Sequence, residues 1–122
     1  MARVDHTAFE TLGTKGSEYT ANAADLTMQA ADTTDSESVP LTGAELVIAH
    51  NTDTTDAHTV TISSIASDDL GRTGDISYSL GADEYAVFGP FGLDGWRQSD
   101  GDLYFAAAAA DVKFAVVEIT EL

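Results

Sequence analysis

ELVIAHN (Glu45–Asn51) and HTVTISS (His58–Ser64) lie six residues apart and read as two β-strands. In the first, Leu46, Ile48 and His50 fall on one face and Val47 and Ala49 on the other. In the second, Val60 and Ile62 are opposed by Thr59, Thr61 and Ser63. Period-two alternation rich in β-branched residues suits a pleated, extended chain. The polar link Thr52–Ala57 is short, so the two runs are expected to pair as a β-hairpin.

Downstream, DISYSL (Asp75–Leu80) places Ile76, Tyr78 and Leu80 inward, as in a half-solvated antiparallel strand. Gly81-Ala82-Asp83 turns the chain into a strand over Glu84–Phe88, which Gly89 and Pro90 end because proline cannot donate to a ladder. Asp100-Gly101 turns into a strand over Asp102–Ala107. Five alanines, Ala106–Ala110, are too few to nucleate a helix and read as a strand end plus a turn. VKFAVVEITEL (Val112–Leu122) is apolar on both faces, which predicts a central strand covered on both sides.

Upstream, Asp32–Ser38 reads as a polar loop and Val39-Pro40-Leu41 as an extended link, while Ala23–Ala31 suits either a helix or a short strand. Ser67–Gly74 reads as a loop. Residues 1–23 show little periodicity, with Val4, Phe9, Leu12 and Tyr19 as anchors, and are expected to be an extended N-terminal arm ordered by contacts. The domain is then 24–122. Seven to eight short strands without a long amphipathic helix predict an all-β fold. The expected form is an antiparallel β-sandwich, jelly-roll or Ig-like, with a small barrel as the other solution.

The 122 residues suffice for one domain. Without cysteine there is neither a disulfide framework nor a thiolate metal site. No run approaches the roughly 20 apolar residues of a membrane span. The first residues lack the apolar core of a signal peptide, so synthesis in the cytoplasm without export is expected. Five Lys and Arg against 21 Asp and Glu give a net charge of −16. The acids are spread evenly, which reads as a surface adapted to its solvent. Such a composition resembles proteins of salt-loving archaea and their viruses, where molar salt cuts the Debye length to about 3 Å; an ordinary acidic protein is the other reading. Five scattered cations form no basic face, so nucleic acid is not an expected partner, nor is a membrane.

No residue set stands out as catalytic. There is no G-x-S-x-G elbow and no phosphate-cradling loop, and an acid pair is inevitable in so acidic a chain. The chain is therefore read as a non-enzyme without cofactor. His50 and His58 flank the link and, with Asp53 or Asp56, could hold a metal; surface side chains are the simpler reading. Asp68-Asp69 and the set Asp94, Asp100 and Asp102 offer oxygen ligands, but their spacing matches no calcium loop. No metal site is assigned.

YAVFGPFGLDGWRQSDGDL (Tyr85–Leu103) concentrates Trp96, Phe88, Phe91, Pro90 and four glycines. That density of Gly and Pro argues against a helix and for tight turns. Its aromatics suit a core, an interface or a sugar platform. Trp96 beside Arg97 is the best interface anchor, because these residue types concentrate binding energy.

The order VPLTG (Val39–Gly43), ELVIAHN, HTVTIS, DISYSLGADEYAVFGPF (Asp75–Phe91), WRQSDGDLYF (Trp96–Phe105) and VKFAVVEITEL resembles small all-β proteins encoded beside capsid genes in tailed viruses. Its most specific part is Gly89-Pro90-Phe91 followed by Gln98-Ser99-Asp100-Gly101. The resemblance covers residues 24–122; the alanine run and the first 23 residues depart from it. It implies a capsid decoration (cement) protein on the exterior of the virion. Such a protein binds the major capsid protein, typically as a homo-oligomer, with a trimer favoured. Arg3, Phe9, Phe91, Trp96 and Arg97 are the expected partner contacts. The alternatives are a tail or head–tail connector protein, or a glycan-binding surface β-sandwich.

Overall fold

The computed structural model describes residues 3–11, 25–65 and 74–119. They form β1 (Val4–Asp5), β2 (Phe9–Glu10), β3 (Gln29–Ala30), β4 (Glu37–Pro40), β5 (Glu45–Asn51), β6 (His58–Ser63), β7 (Ile76–Leu80), β8 (Tyr85–Phe88), one helical turn α1 (Leu93–Trp96), β9 (Asp102–Ala107) and β10 (Val112–Glu118). Two five-stranded sheets pack together as a β-sandwich. The first runs β1-β4-β9-β6-β7; the second runs β2-β10-β5-β8, with β3 also paired to β10. Ten strands replace the seven to eight expected. Both sheets are mixed rather than purely antiparallel, because β1 joins β4 and β2 joins β10 in parallel.

The expected hairpin does not form. β5 pairs with β10 and β8, whereas β6 pairs with β7 and β9. The polar link therefore carries the chain from one sheet to the other. Both runs are apolar enough for interior strands, and alternation fixes which face is buried without naming the neighbour. The four-residue β4 occupies what reads as loop and link, and pairs with β9 over Glu37–Pro40.

The core lies between the sheets. Val39, Val60, Ile62, Leu80, Leu103 and Phe105 come from the first sheet, and Val47, Ala49, Val112, Phe114 and Val116 from the second. Phe105 and Phe114 meet edge to face across the interlayer, with centroids 4.9 Å apart. Tyr78, expected inward, is 48% exposed, since β7 is an edge strand and its ring closes the flank against Phe88. The Gly-rich segment does hold a helical turn at Leu93–Trp96. Leu93 and Trp96 pack on the core, so tertiary contact supplies what four residues cannot.

Arg3–Thr11 lie along the domain. β1 extends one edge of the first sheet and β2 an edge of the second, with His6 crossing between them. The His6 amide donates to the Ser38 carbonyl at 2.7 Å, and its ring packs on Phe105 and Phe114. Leu12 and Tyr19, the Ser67–Gly74 loop up to Thr73, and the last three residues lie outside the described residues.

Two buried groups at this flank couple stability to pH. His6 Nε2 has no hydrogen-bond partner, and burial depresses its pKa below 6.5 against the pull of Asp5. Glu37 is fully buried. Its Oε1 accepts the Asp32 amide at 2.6 Å while Oε2 is unpartnered, and burial raises its pKa above 4.5. Below pH 6.5 the unfolded chain protonates His6 while the folded chain resists, so stability falls as pH drops. Glu37 acts oppositely: its penalty is full above the raised pKa and gone below 4.5. Urea midpoints against pH should show His6→Leu abolishing the first slope. Glu37→Gln should stabilise by about 1–3 kcal/mol at neutral pH and by nothing at acid pH.

Candidate functional site

The two outward faces of the sandwich differ in chemistry. On the first sheet the outward positions include Asp5, Ser38, Asp102, Tyr104, Thr59, Thr61, Ser63, Ser77 and Ser79, a polar, hydroxyl-rich surface. On the second sheet β5 turns Val47 and Ala49 inward and its bulkier pair, Leu46 and Ile48, outward with His50. Register places Val117, Ala115 and Lys113 of β10 beside them on one side, and Val87 and Tyr85 of β8 on the other. Phe9 of β2 aligns with Val117. None of these outward positions carries a carboxylate, in a chain with 21 acids.

The apolar surface continues to the open flank where β7 and β8 are edge strands. Val87 is 62% exposed and Tyr85 is 64% exposed. With Tyr78 they make three of the four exposed large hydrophobic side chains among the described residues, Leu26 being the fourth. His50 stacks face to face on Tyr85 with centroids 3.8 Å apart, and its Nε2 lies 3.3 Å from Asp83. Gly89 ends β8 with φ +111°; a Cβ there would meet the Glu45 carbonyl at 2.9 Å. On the last strand Val112, Phe114 and Val116 are buried toward the core, while on the other face Ala115 is buried, Val117 is half-buried and Lys113 is exposed. Every described strand lies in one of the two sheets, so no described strand roofs the outward face of β5 and β10.

Set against protein-family models, curated proteins and solved structures, the chain gives no match.

The five residues expected to contact a partner do not gather in one place. Phe9 belongs to the apolar face. Phe91 is 2% exposed and is a core residue, leaving almost none of its ring for a partner. Trp96 packs edge to face on Phe91 at 5.1 Å and is half-buried, so it first serves the fold; Arg97 beside it is exposed. Arg3 sits on the opposite face of the sandwich. Its guanidinium covers the Tyr104 ring at 4.1 Å and its Nε donates to the Glu37 carbonyl. Arg3, Asp5, Asp100, Asp102 and Tyr104 line a cavity of about 520 Å³ there. In it the Tyr104 hydroxyl, then the Asp102 amide, hold the Asp100 carboxyl below its usual range, while burial and then the charges of Asp100 and Asp5 push Asp102 up.

His50 and His58 part company because their strands belong to different sheets, His58 lying against Asp53 at 2.9 Å. Asp68 and Asp69 lie outside the described residues, and Asp94 on α1 is not among the residues lining the cavity of Asp100 and Asp102. The sequence places Tyr85 among aromatics suited to a core, an interface or a sugar platform; the residues it does not single out for contact are Leu46, Ile48, Val87 and Val117. Their signal was present as strands apolar on both faces, a pattern that asks for a second cover.

Proposed function

We propose that this chain is a non-catalytic structural protein of a virion, a capsid decoration protein that adheres to the major capsid protein shell. The observation that carries the adhesive part is the acid-free apolar face of β5, β8 and β10 on a chain of net charge −16. Elsewhere carboxylates keep like-charged surfaces apart; here Leu46, Ile48, Val87 and Val117 can be desolvated against a partner without burying a carboxylate. The virion assignment, the jelly-roll or Ig-like strand plan and the favoured homotrimer rest on the family resemblance. Repetition over a shell lets many modest contacts add up.

Val87→Lys tests this reading better than Trp96→Ala, because Val87 is exposed whereas Trp96 also packs the core. On shells stripped of the protein and rebound in brine, Val87→Lys should lose about 2 kcal/mol of binding, roughly 30-fold in affinity. Full occupancy by the variant would sink the proposal. A copy number of a few dozen per particle would move the protein to the tail or connector. Selective capture on a glycan array would favour the sugar-binding alternative.

A further inference from the structure

Away from the apolar face, three side chains from separate segments converge where the chain crosses between sheets. Asp53 lies in the crossing link, His58 opens β6, and Asp111 precedes β10. His58 Nε2 is 2.9 Å from Asp53 Oδ2 and 3.9 Å from Asp111 Oδ2. All three ligand atoms lie within 4.8 Å of one another. From this geometry we propose that Asp53, His58 and Asp111 together bind one divalent transition-metal cation of the zinc class.

Two ligands about 2.0–2.1 Å from a tetrahedral zinc stand about 3.3 Å apart, and the two imidazole–carboxylate separations bracket that value. An ion pair alone explains Asp53, since one imidazole N–H can serve one carboxylate. It does not explain Asp111, whose carboxylate accepts no hydrogen bond among the described residues yet is held 3.9 Å from the same nitrogen and within 4.8 Å of the Asp53 carboxylate. The two carboxylates repel each other at that separation, and a cation held between the three removes the repulsion.

The surroundings hold the donors in place. Asp53 Oδ1 accepts from the Thr55 amide, the Thr55 hydroxyl and the Asp56 amide, which leaves Oδ2 turned to His58. The Asp111 backbone is tied to the link by the Thr52 amide and hydroxyl, both donating to its carbonyl. The imidazole decides the metal class. Magnesium and calcium take oxygen ligands, whereas zinc, cobalt and nickel accept nitrogen readily. Three protein ligands leave a coordination position for water, and the bound ion would brace the crossing link against the β9–β10 turn.

The test uses the full chain, stripped with chelator and kept in brine. Titration with Zn²⁺ by calorimetry, and with Co²⁺ by visible absorption, should show saturable uptake of one ion per chain and a tetrahedral cobalt spectrum. His58→Ala and the surface change Asp111→Asn should each weaken uptake at least tenfold with an unchanged circular dichroism spectrum. Excess Mg²⁺ should not displace the ion. Absence of saturable uptake, uptake by either variant as tight as the parent chain's, or displacement by Mg²⁺ would each overturn the site and leave only counterions condensed on an acidic surface. This outcome is independent of shell binding, because none of the three residues lies on the apolar face.

Discussion

Asn51→Asp should destabilise the fold by about 4 kcal/mol, enough to leave a domain of this size largely unfolded at moderate urea. Asn51 is fully buried at the end of β5, where the chain leaves the second sheet for the first. Its Nδ2 donates to the carbonyls of Asp56, Leu80 and Gly81 at 2.9, 3.1 and 3.2 Å, and its Oδ1 accepts the Asp53 amide at 3.0 Å. One side chain thereby ties the crossing link to the β7–β8 turn. Aspartate has nearly the same shape but sets a carboxylate oxygen against three carbonyl oxygens. It must then stay protonated at neutral pH or push the link away. The measurement is the urea midpoint at neutral and acid pH. The loss should shrink at acid pH, where the carboxyl can carry the proton that the amide nitrogen supplied. A midpoint within experimental error of the parent protein at neutral pH would show that the link does not depend on this side chain.

Glu45→Ala is the second large effect, at about 3 kcal/mol. Glu45 is 1% exposed, and its Oε1 accepts the amides of Thr42, Gly43 and Ala44 at 2.9, 3.1 and 3.2 Å. Oε2 accepts the Thr42 hydroxyl at 2.7 Å. Gly43, with φ +104°, lets the chain curl round the carboxylate. Alanine orphans three amides at once. Glu45→Gln keeps Oε1 as acceptor and presents an NH₂ to a hydroxyl that can rotate to accept it, so it should cost about 1 kcal/mol. Calorimetric melting in brine separates the two cases. Equal losses for Ala and Gln would mean that charge, not acceptor geometry, is what this turn requires.

Glu45, together with Glu37, shows why an acidic coat is not the whole account of this chain's acids. Composition alone assigns every carboxylate to solvent, yet Glu37 and Glu45 are interior. Nothing in their local sequence separates them from Glu84 or Asp83 on the surface, because burial is conferred by strands that arrive from elsewhere in the chain.

Strand existence was legible from the sequence at β5, β6, β7, β8, β9 and β10, since each alternates or runs apolar between turn residues, and period two is a local property. The turn at the end of the alanine run and the central place of β10 followed from the same local chemistry. The all-β class and the even acidity were equally plain. Partner choice was not legible. β5 and β6 look like a hairpin and belong to different sheets, because the pairing of an interior strand is settled by distant segments competing for its edges. β1, β2 and β3 have two residues each, too short for any periodicity to register. The adhesive face was half visible: the sequence displays Leu46 and Ile48 opposite Val47 and Ala49, but only the folded sandwich decides which pair faces its own core. It is the smaller pair that packs into the core with Phe105 and Phe114, and the larger pair that faces outward, half-buried.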